Sequence, residues 1–167
     1  LLQQRITKSF RKTARFASLS ALIALLASGV SSATAAVTWT GAGADNNWST
    51  AGNFVPAAPI FFDDLVFSGN TRLNNTNDLP NLYNSISFSS GAGPFVLSGL
   101  DIGLGVGGIT NNSSSLQTIA FTPSIPGFLG GIIIVDSQTW NAASGDLLIN
   151  TDVTLSGIPA GVLTITG

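Results

Sequence analysis

Aspartate is the only acidic residue of this chain, and this limits the chemistry that the chain can perform. The sequence contains no histidine, cysteine or glutamate, and no lysine after residue 12. Serine–histidine and cysteine–histidine catalytic sites, Schiff-base lysines and nearly all zinc or copper sites are therefore excluded. Asp63 and Asp64 are neighbours and would point to opposite faces if residues 62–66 form a strand, so they do not easily form a glycosidase carboxylate pair. Two aspartates from adjacent coils of a β-helix could still meet. We predict no catalytic residue and no enzymatic activity in this segment.

Trp48 and Trp140 are the candidate ligand-binding residues. An exposed indole offers a flat apolar face and a polar N–H, so a sugar ring can stack on it. The sequence allows a second interpretation of Trp48. It lies in residues 39–54, where two of the three tryptophans flank a turn rich in glycine and asparagine. These aromatic side chains could instead close the end of an apolar core.

Asp45, Asn46 and Asn47 bring three oxygen-bearing side chains together in the same turn. Calcium prefers oxygen ligands of this kind. The glycine-rich repeat of calcium-binding β-rolls occurs in several tandem copies. This chain has one imperfect copy, with Asn47 where a large apolar residue belongs. We therefore predict no cofactor, with calcium at this turn as the single alternative.

Residues 103–108 match the G-x-G-x-x-G pattern of dinucleotide-binding loops. A loop of that kind follows a strand and begins a helix. Residues 109–115 are rich in asparagine and serine, which are poor helix formers. The pattern therefore predicts a flexible turn between strands and not a nucleotide site.

Residues 1–35 have the three parts of a secretory signal peptide. Five basic residues between Arg5 and Arg15 precede an apolar segment, Phe16 to Val30, which we expect to be helical. Ala33-Thr34-Ala35 fits the small-residue cleavage pattern, so we expect cleavage after Ala35 or Ala36. The apolar segment is shorter than the roughly 20 residues that a membrane-spanning helix needs. We predict export through the general secretory route.

The remaining chain, residues 36–167, is acidic and long enough for one domain with a core of its own. Arg72 stands against eight aspartates, which gives a net charge of −7. A chain without a basic patch is not suited to binding nucleic acid or an anionic membrane surface. Aspartate favours turns whereas glutamate favours helices, so the absence of glutamate indicates an all-β chain.

Short apolar runs separated by glycine, asparagine, serine and proline predict many short strands. After a stiff segment at Pro56 to Pro59, apolar runs at 60–62 and 65–67 flank Asp63 and Asp64. Residues 72–84 are polar and predict a loop with a short strand near 79–83. The further predicted strands are 85–89, 95–98, 100–104, 116–121, 131–135, 138–140, 146–150, 153–156 and 162–166.

Two all-β architectures are compatible with this pattern. One is a β-sandwich built from hairpins, and the other is a parallel β-helix in which each coil stacks on the preceding one. A loose internal similarity between residues 95–102 and 147–157 favours the β-helix. We divide the chain into a signal peptide at 1–35, a tryptophan-containing capping region at 36–84 and a β-strand repeat region at 85–167. The alternating strand at 162–166 ends in Gly167, and we expect the repeat region to be truncated there.

Residues 39–54 read W-x-G-x-G-x-D-x-x-W-S-x-x-x-N-F. Together with residues 64–69, 85–88 and 140–147, this segment resembles secreted bacterial proteins that carry autotransporter-associated β-strand repeats. Such proteins are autotransporter passengers or surface proteins with a sorting signal. The resemblance covers most of residues 37–167. It implies a right-handed parallel β-helix displayed outside the cell, and it carries no catalytic residues.

These observations predict a secreted or cell-surface protein, extracellular or associated with the outer membrane, with a structural or adhesive role. The expected partners are an extracellular polysaccharide or other surface proteins. We expect membrane contact only through the signal peptide or a C-terminal anchor outside this sequence. The alternative function is a carbohydrate-binding β module, or the non-catalytic N-terminal part of a carbohydrate-active enzyme.

Overall fold

The computed structural model describes residues 36–124, 130–156 and 161–167 of the chain. The predicted signal peptide and Ala35 lie outside these residues, and Ala36 begins the first strand. The described residues are all-β and contain no helix. The strands are β1 Ala36–Trp39, β2 Phe54–Val55, β3 Asp64–Phe67, β4 Asn74–Asn77, β5 Leu82–Phe88, β6 Val96–Leu100, β7 Ile102–Asn111, β8 Gln117–Thr122, β9 Ile132–Ile134, β10 Gln138–Asn141, β11 Leu147–Ile149, β12 Val153–Leu155 and β13 Leu163–Thr166.

The strands form three parallel ladders, of which the first and third belong to one sheet. Ladder 1 contains β1, β3, the second half of β5, the second half of β7, β10 and β13. Ladder 2 contains β4, β6, β8 and β11. Ladder 3 contains the beginnings of β5 and β7, followed by β9 and β12. From β3 onwards the chain passes through ladders 1, 2 and 3 in that order and then begins again.

Parallel pairing in register places like side chains above one another. In ladder 1, one inward column holds six apolar residues, and the next inward column holds three aromatic residues and then Asn111. The rings of Phe67 and Phe88 stack with centroids 5.5 Å apart. The ring of Phe95, which directly precedes β6 of ladder 2, lies 5.5 Å from that of Phe67. Burying these rings removes a large apolar area from water, which is the main stabilising contribution in a core without disulfides. The first column is Val37, Leu65, Ile86, Ile109, Trp140 and Ile165.

The strand β2 closes the amino-terminal end of this core. It pairs antiparallel with β1, and this is the one antiparallel strand pair in the described part of the chain. Trp39 and Phe54 face each other across that pair, with ring centroids 5.1 Å apart in an edge-to-face arrangement. The capping interpretation of the segment 39–54 agrees with this packing.

The predicted all-β class is confirmed, and the pairing differs from that of a hairpin sandwich because it is almost entirely parallel. Two local predictions were wrong. β4 lies in the polar segment 72–84 that was predicted as loop, because Asn75 and Asn77 face inward: Asn77 bonds to backbone groups and Asn75 accepts from the Trp48 indole. β7 runs through the glycine-rich segment 103–108, where two extra residues form a bulge opposite β5. The predicted boundary between residues 84 and 85 falls inside β5.

Gly108 lies where this bulge rejoins ladder 1, and its φ angle is +61°. A Cβ atom at this position would collide with the backbone oxygen of Thr139 on the next strand. Left-handed backbone is unfavourable for residues with a Cβ, so only glycine suits this position.

We expect Gly108→Ala to destabilise the protein by about 2–4 kcal/mol, since backbone strain and a steric clash add together. The measurement is the free energy of unfolding from urea denaturation followed by circular dichroism. Gly91→Ala is the matched control, because Gly91 has an ordinary φ angle and nothing within 4 Å of an added Cβ. Equal stabilities of the two variants would contradict the tight contact between β7 and β10.

Candidate binding surface

The structure buries both tryptophans that were predicted to stack on glycans. Trp48 is 0 % exposed and Trp140 is 3 % exposed. The ring of Trp48 lies 5.7–5.9 Å from four other aromatic rings, and its Nε1 donates to Asn75 Oδ1 at 2.7 Å. Trp140 Nε1 donates to Gln138 Oε1 at 2.7 Å. A stacking role needs an exposed ring face, and in this structure both indoles contribute to the core instead.

Asn75 is a fully buried amide in the aromatic end of the core. Its Oδ1 accepts the hydrogen bond from Trp48, whereas its Nδ2 is the one buried side-chain nitrogen or oxygen without a partner among the described residues. A buried donor without a partner lowers the stability of the folded state. The Trp48–Asn75 hydrogen bond offsets part of that cost.

The turn that contains Asp45, Asn46 and Asn47 uses its oxygens for hydrogen bonds within the protein. Asp45 Oδ1 accepts from Thr50 Oγ1 at 2.6 Å and from the backbone N–H of Asn47 at 2.9 Å. These two hydrogen bonds hold the pKa of Asp45 below its usual value. Arg72 donates to Asn46 Oδ1 at 3.1 Å and to the backbone oxygens of Gly41 and Gly43, just before this turn.

Through these hydrogen bonds Arg72 connects its own loop to residues 41–46, so it is not an isolated surface charge. Both carboxylate oxygens of Asp45 and the amide oxygen of Asn46 accept hydrogen bonds within the protein, and these bonds hold the turn in its shape. In residues 36–124, 130–156 and 161–167, no group of three or more histidine, cysteine, aspartate or glutamate side chains could hold a metal ion.

Phe61 and Phe62 are exposed, in contrast to the tryptophans. Their side chains are 59 % and 53 % exposed, and their rings pack edge to face at 5.7 Å. Phe62 has a φ angle of +65°, which is rare and costly for a bulky residue. Its N–H donates to the backbone oxygen of Leu82 at 2.8 Å. The buried Asp63 accepts from the N–H of Ile60 at 2.8 Å and so fixes the loop.

The sequence predicted residues 60–62 as an apolar run beside a strand, and it did not indicate that these rings face the solvent. A strained backbone that holds large rings in water is uncommon where function does not require it. The two phenylalanines therefore define a candidate contact surface.

A network of polar side chains lies two residues further along the chain from Phe62. Asp64 Oδ1 accepts from Asn84 Nδ2 and from Ser85 Oγ, both at 2.6 Å. Asp64 and Ser85 are paired neighbours in ladder 1 and lie on its outward face. The backbone of Asp64 is at most about 7 Å from that of Phe62, because the two residues are two apart in the chain.

The same outward face continues into a groove of about 390 Å³ over β10 and β13. Its lining carries hydroxyl and amide groups together with Val106 and Val162, which are 60 % and 63 % exposed. None of its lining residues is charged. The hydroxyl and amide side chains on the outward side of the three strands are Thr110, Thr139, Asn141 and Thr164.

A second cavity of about 340 Å³ lies at the other end of the core from β2. It is apolar, and Trp140 contributes to its lining together with side chains of β11, β12 and β13. The cavity continues the inward columns of the three ladders beyond their last described strands.

The chain matches no protein-family model, no curated protein and no solved structure. Among the described residues, no helix is both long and apolar enough to cross a membrane.

We expect Trp48→Phe to destabilise the protein by about 2–3 kcal/mol, because it leaves the buried Asn75 without any side-chain hydrogen bond. Asn75→Leu in the Trp48→Phe background should recover at least about 1 kcal/mol of that loss, since the unpaired amide is then removed. A double-mutant cycle of urea denaturation measures the coupling. Strictly additive effects of the two substitutions would contradict the role of this hydrogen bond.

Proposed function

We propose that the described part of residues 36–167 forms a right-handed parallel β-helix with a structural and adhesive role outside the cell. The observation that carries the proposal is the repeated passage of the chain through ladders 1, 2 and 3 with like residues in register. In a β-helix each coil buries the apolar face of its neighbour, and the outward side chains form a long continuous surface.

The outward face of ladder 1 supports an adhesive role. It carries an uncharged groove over β10 and β13, and the segment before β3 presents two exposed aromatic rings, Phe61 and Phe62. Many weak contacts spread over such a surface can add up to firm attachment. The lack of histidine, cysteine and glutamate in the sequence supports a role in binding and not in catalysis.

The proposal that the protein acts outside the cell depends on the sequence alone. The predicted signal peptide at residues 1–35 supports export, and the resemblance to autotransporter-associated β-strand repeat proteins supports display at the bacterial surface. The absence of cysteine agrees with a fold stabilised by packing and by backbone pairing.

Expression of the full chain in a Gram-negative bacterium tests the proposed export. We expect the protein in the periplasmic or extracellular fraction, with Ala36 or Val37 as its first residue in N-terminal sequencing. The double substitution Leu22→Arg and Leu25→Arg should retain the protein in the cytosol, because it interrupts the apolar segment. Gln3→Ala is the control and should be exported. An uncleaved chain found only in the cytosol would overturn the extracellular role.

A further inference from the structure

We propose that the loop at residues 54–62 inserts Ile60, Phe61 and Phe62 into the surface of an uncharged, zwitterionic lipid bilayer. We call these three residues the apolar tip. The inference goes beyond the proposed function, since neither a β-helix nor an adhesive role requires lipid. It also differs from the expectation that membrane contact is made only by the signal peptide or by an anchor outside this sequence.

Among the described residues, the apolar tip is the one run of consecutive large apolar side chains that are exposed. Ile60, Phe61 and Phe62 are 67 %, 59 % and 53 % exposed. The other exposed large apolar side chains occur singly in the sequence, as is normal on a protein surface. An aromatic side chain has roughly 150–250 Å² of surface, so two rings that are more than half exposed present on the order of 200 Å² of apolar area. A concentration of this kind indicates a contact surface.

The loop that carries the tip contains no polar side chain. Residues 54–62 read Phe-Val-Pro-Ala-Ala-Pro-Ile-Phe-Phe, without a charged or hydrogen-bonding group. Phe54 packs against Trp39 and Trp48 in the core, and Pro59 is also buried. Residues 55–57 between them are exposed. The loop is therefore attached to the protein at two points, and its tip faces the solvent.

A tight turn fixes the position of the tip. The N–H of Asp63 donates to the backbone oxygen of Ile60 at 3.3 Å, and Asp63 Oδ2 accepts from the N–H of Ile60 at 2.8 Å. Phe61 and Phe62 are the two central residues of this turn. The φ angle of +65° at Phe62 corresponds to a type II turn, in which glycine is preferred at that position. The turn thus presents two rings to the solvent at a cost in backbone strain, which is typical of functional sites.

The backbone of the loop suits an apolar environment. Pro56 and Pro59 have no N–H group, and the N–H groups of Ile60, Phe62 and Asp63 donate within the protein. A segment that enters a bilayer needs such internal partners, because lipid chains offer no hydrogen-bond acceptors. A protein that binds by adding a strand needs free N–H groups, which these residues do not offer. The loop therefore matches a lipid surface better than an extended peptide.

The charge of the protein determines which lipid surface suits the tip. Residues 36–167 contain eight aspartates and one basic residue, Arg72. Arg72 is bonded to residues 41–46 and not to the loop of the tip. Anionic headgroups therefore repel this chain, whereas the insertion of apolar rings into the interface needs no charge. A zwitterionic bilayer offers the same apolar interior without that repulsion.

Flotation of the exported chain with phosphatidylcholine vesicles tests the inference. We expect the protein to float with the vesicles, and to bind more weakly to vesicles that also contain phosphatidylglycerol. Phe61→Ser combined with Phe62→Gly should weaken vesicle binding by about tenfold or more, because both rings are removed. Val106→Ser combined with Leu148→Ser is the matched control, since these exposed apolar side chains occur singly and lie in β7 and β11. The control should float as the unmodified chain does.

A fluorescent label shows whether the tip itself enters the bilayer. The chain has no cysteine, so Phe61→Cys provides a single attachment site for the environment-sensitive dye NBD. In the full chain with phosphatidylcholine vesicles, we expect the emission of this label to rise and shift to the blue, and nitroxide-labelled lipids to quench it. The same dye attached through Leu148→Cys should show neither change. The label reports its own surroundings, so the result does not depend on removal of residues 1–35.

The design separates lipid binding from folding. Glycine suits the left-handed backbone at position 62, so Phe62→Gly should keep or raise the unfolding temperature while it lowers lipid binding. A loss of flotation in the tip variant is then a loss of contact and not of structure.

The inference is overturned if phosphatidylcholine vesicles do not bind the protein, if the tip variant floats as well as the control, if vesicles leave the label at position 61 unchanged, or if anionic vesicles bind more tightly than neutral ones. Self-association in sedimentation velocity that the tip variant abolishes, without vesicle binding, would overturn it in favour of a second copy of the chain. Each of these results would leave the proposed function intact, because neither export nor the pairing of the ladders depends on lipid. Conversely, a chain that stays in the cytosol would overturn the proposed function, and the label experiment would still decide the role of the tip.

Discussion

In-register parallel pairing is the constraint on which the rest of this structure depends. Each strand of ladder 1 places its inward residues directly over those of the preceding strand, so a single column can be filled by Leu65, Ile86 and Ile109 in turn. A slip of one residue would turn every inward side chain outward. The aromatic end of the core enforces the register, because Trp39, Phe67 and Phe88 stack only when the strands are aligned.

Where the chain passes from one ladder to the next, backbone N–H and C=O groups have no partner on a neighbouring strand. Buried amide side chains form hydrogen bonds with these groups instead. Asn111 accepts from the N–H of Ser113, and its Nδ2 donates to backbone oxygens of residues 115, 145 and 146. Gln117 bridges the N–H of Phe95 and the oxygen of Gly93. The many asparagines of this sequence therefore hold the bends of the chain from inside, while the threonines of ladder 1 face outward.

The sequence predicted the all-β class and most of the strands, because short apolar runs between turn residues are a local signal. It missed β4, since the two inward residues of this strand, Asn75 and Asn77, are polar and give no apolar periodicity. It also could not decide which aromatic residues face the solvent. Trp48 is buried because residues distant in sequence, such as Asn75 and Phe121, close around it, whereas Phe62 is exposed because of a backbone conformation that no local pattern indicates.

The candidate site was also not predictable from local sequence patterns. The groove over β10 and β13 joins residues from three strands that are far apart in the chain, so spacing along the sequence does not reveal it. The turn at residues 45–47 was visible in the sequence, but its hydrogen bonds to Thr50 and Arg72 were not. A polar side chain whose hydrogen bonds are made within the protein has a structural role, whereas one without such partners can bind a ligand. Only the three-dimensional structure distinguishes the two cases.

Distances between spin labels on the outward face of ladder 1 test the stacking of the strands most directly. Thr38 and Thr166 occupy the same outward column, separated by five strand-to-strand steps. At about 4.8 Å per step, double electron–electron resonance on labels at these two positions should give a narrow distribution near 24 Å. Labels at Thr38 and Thr110, three steps apart, should lie near 14 Å, at the lower end of the measurable range. Broad distributions, or a 38–166 distance above about 35 Å, would contradict the account of an in-register parallel stack.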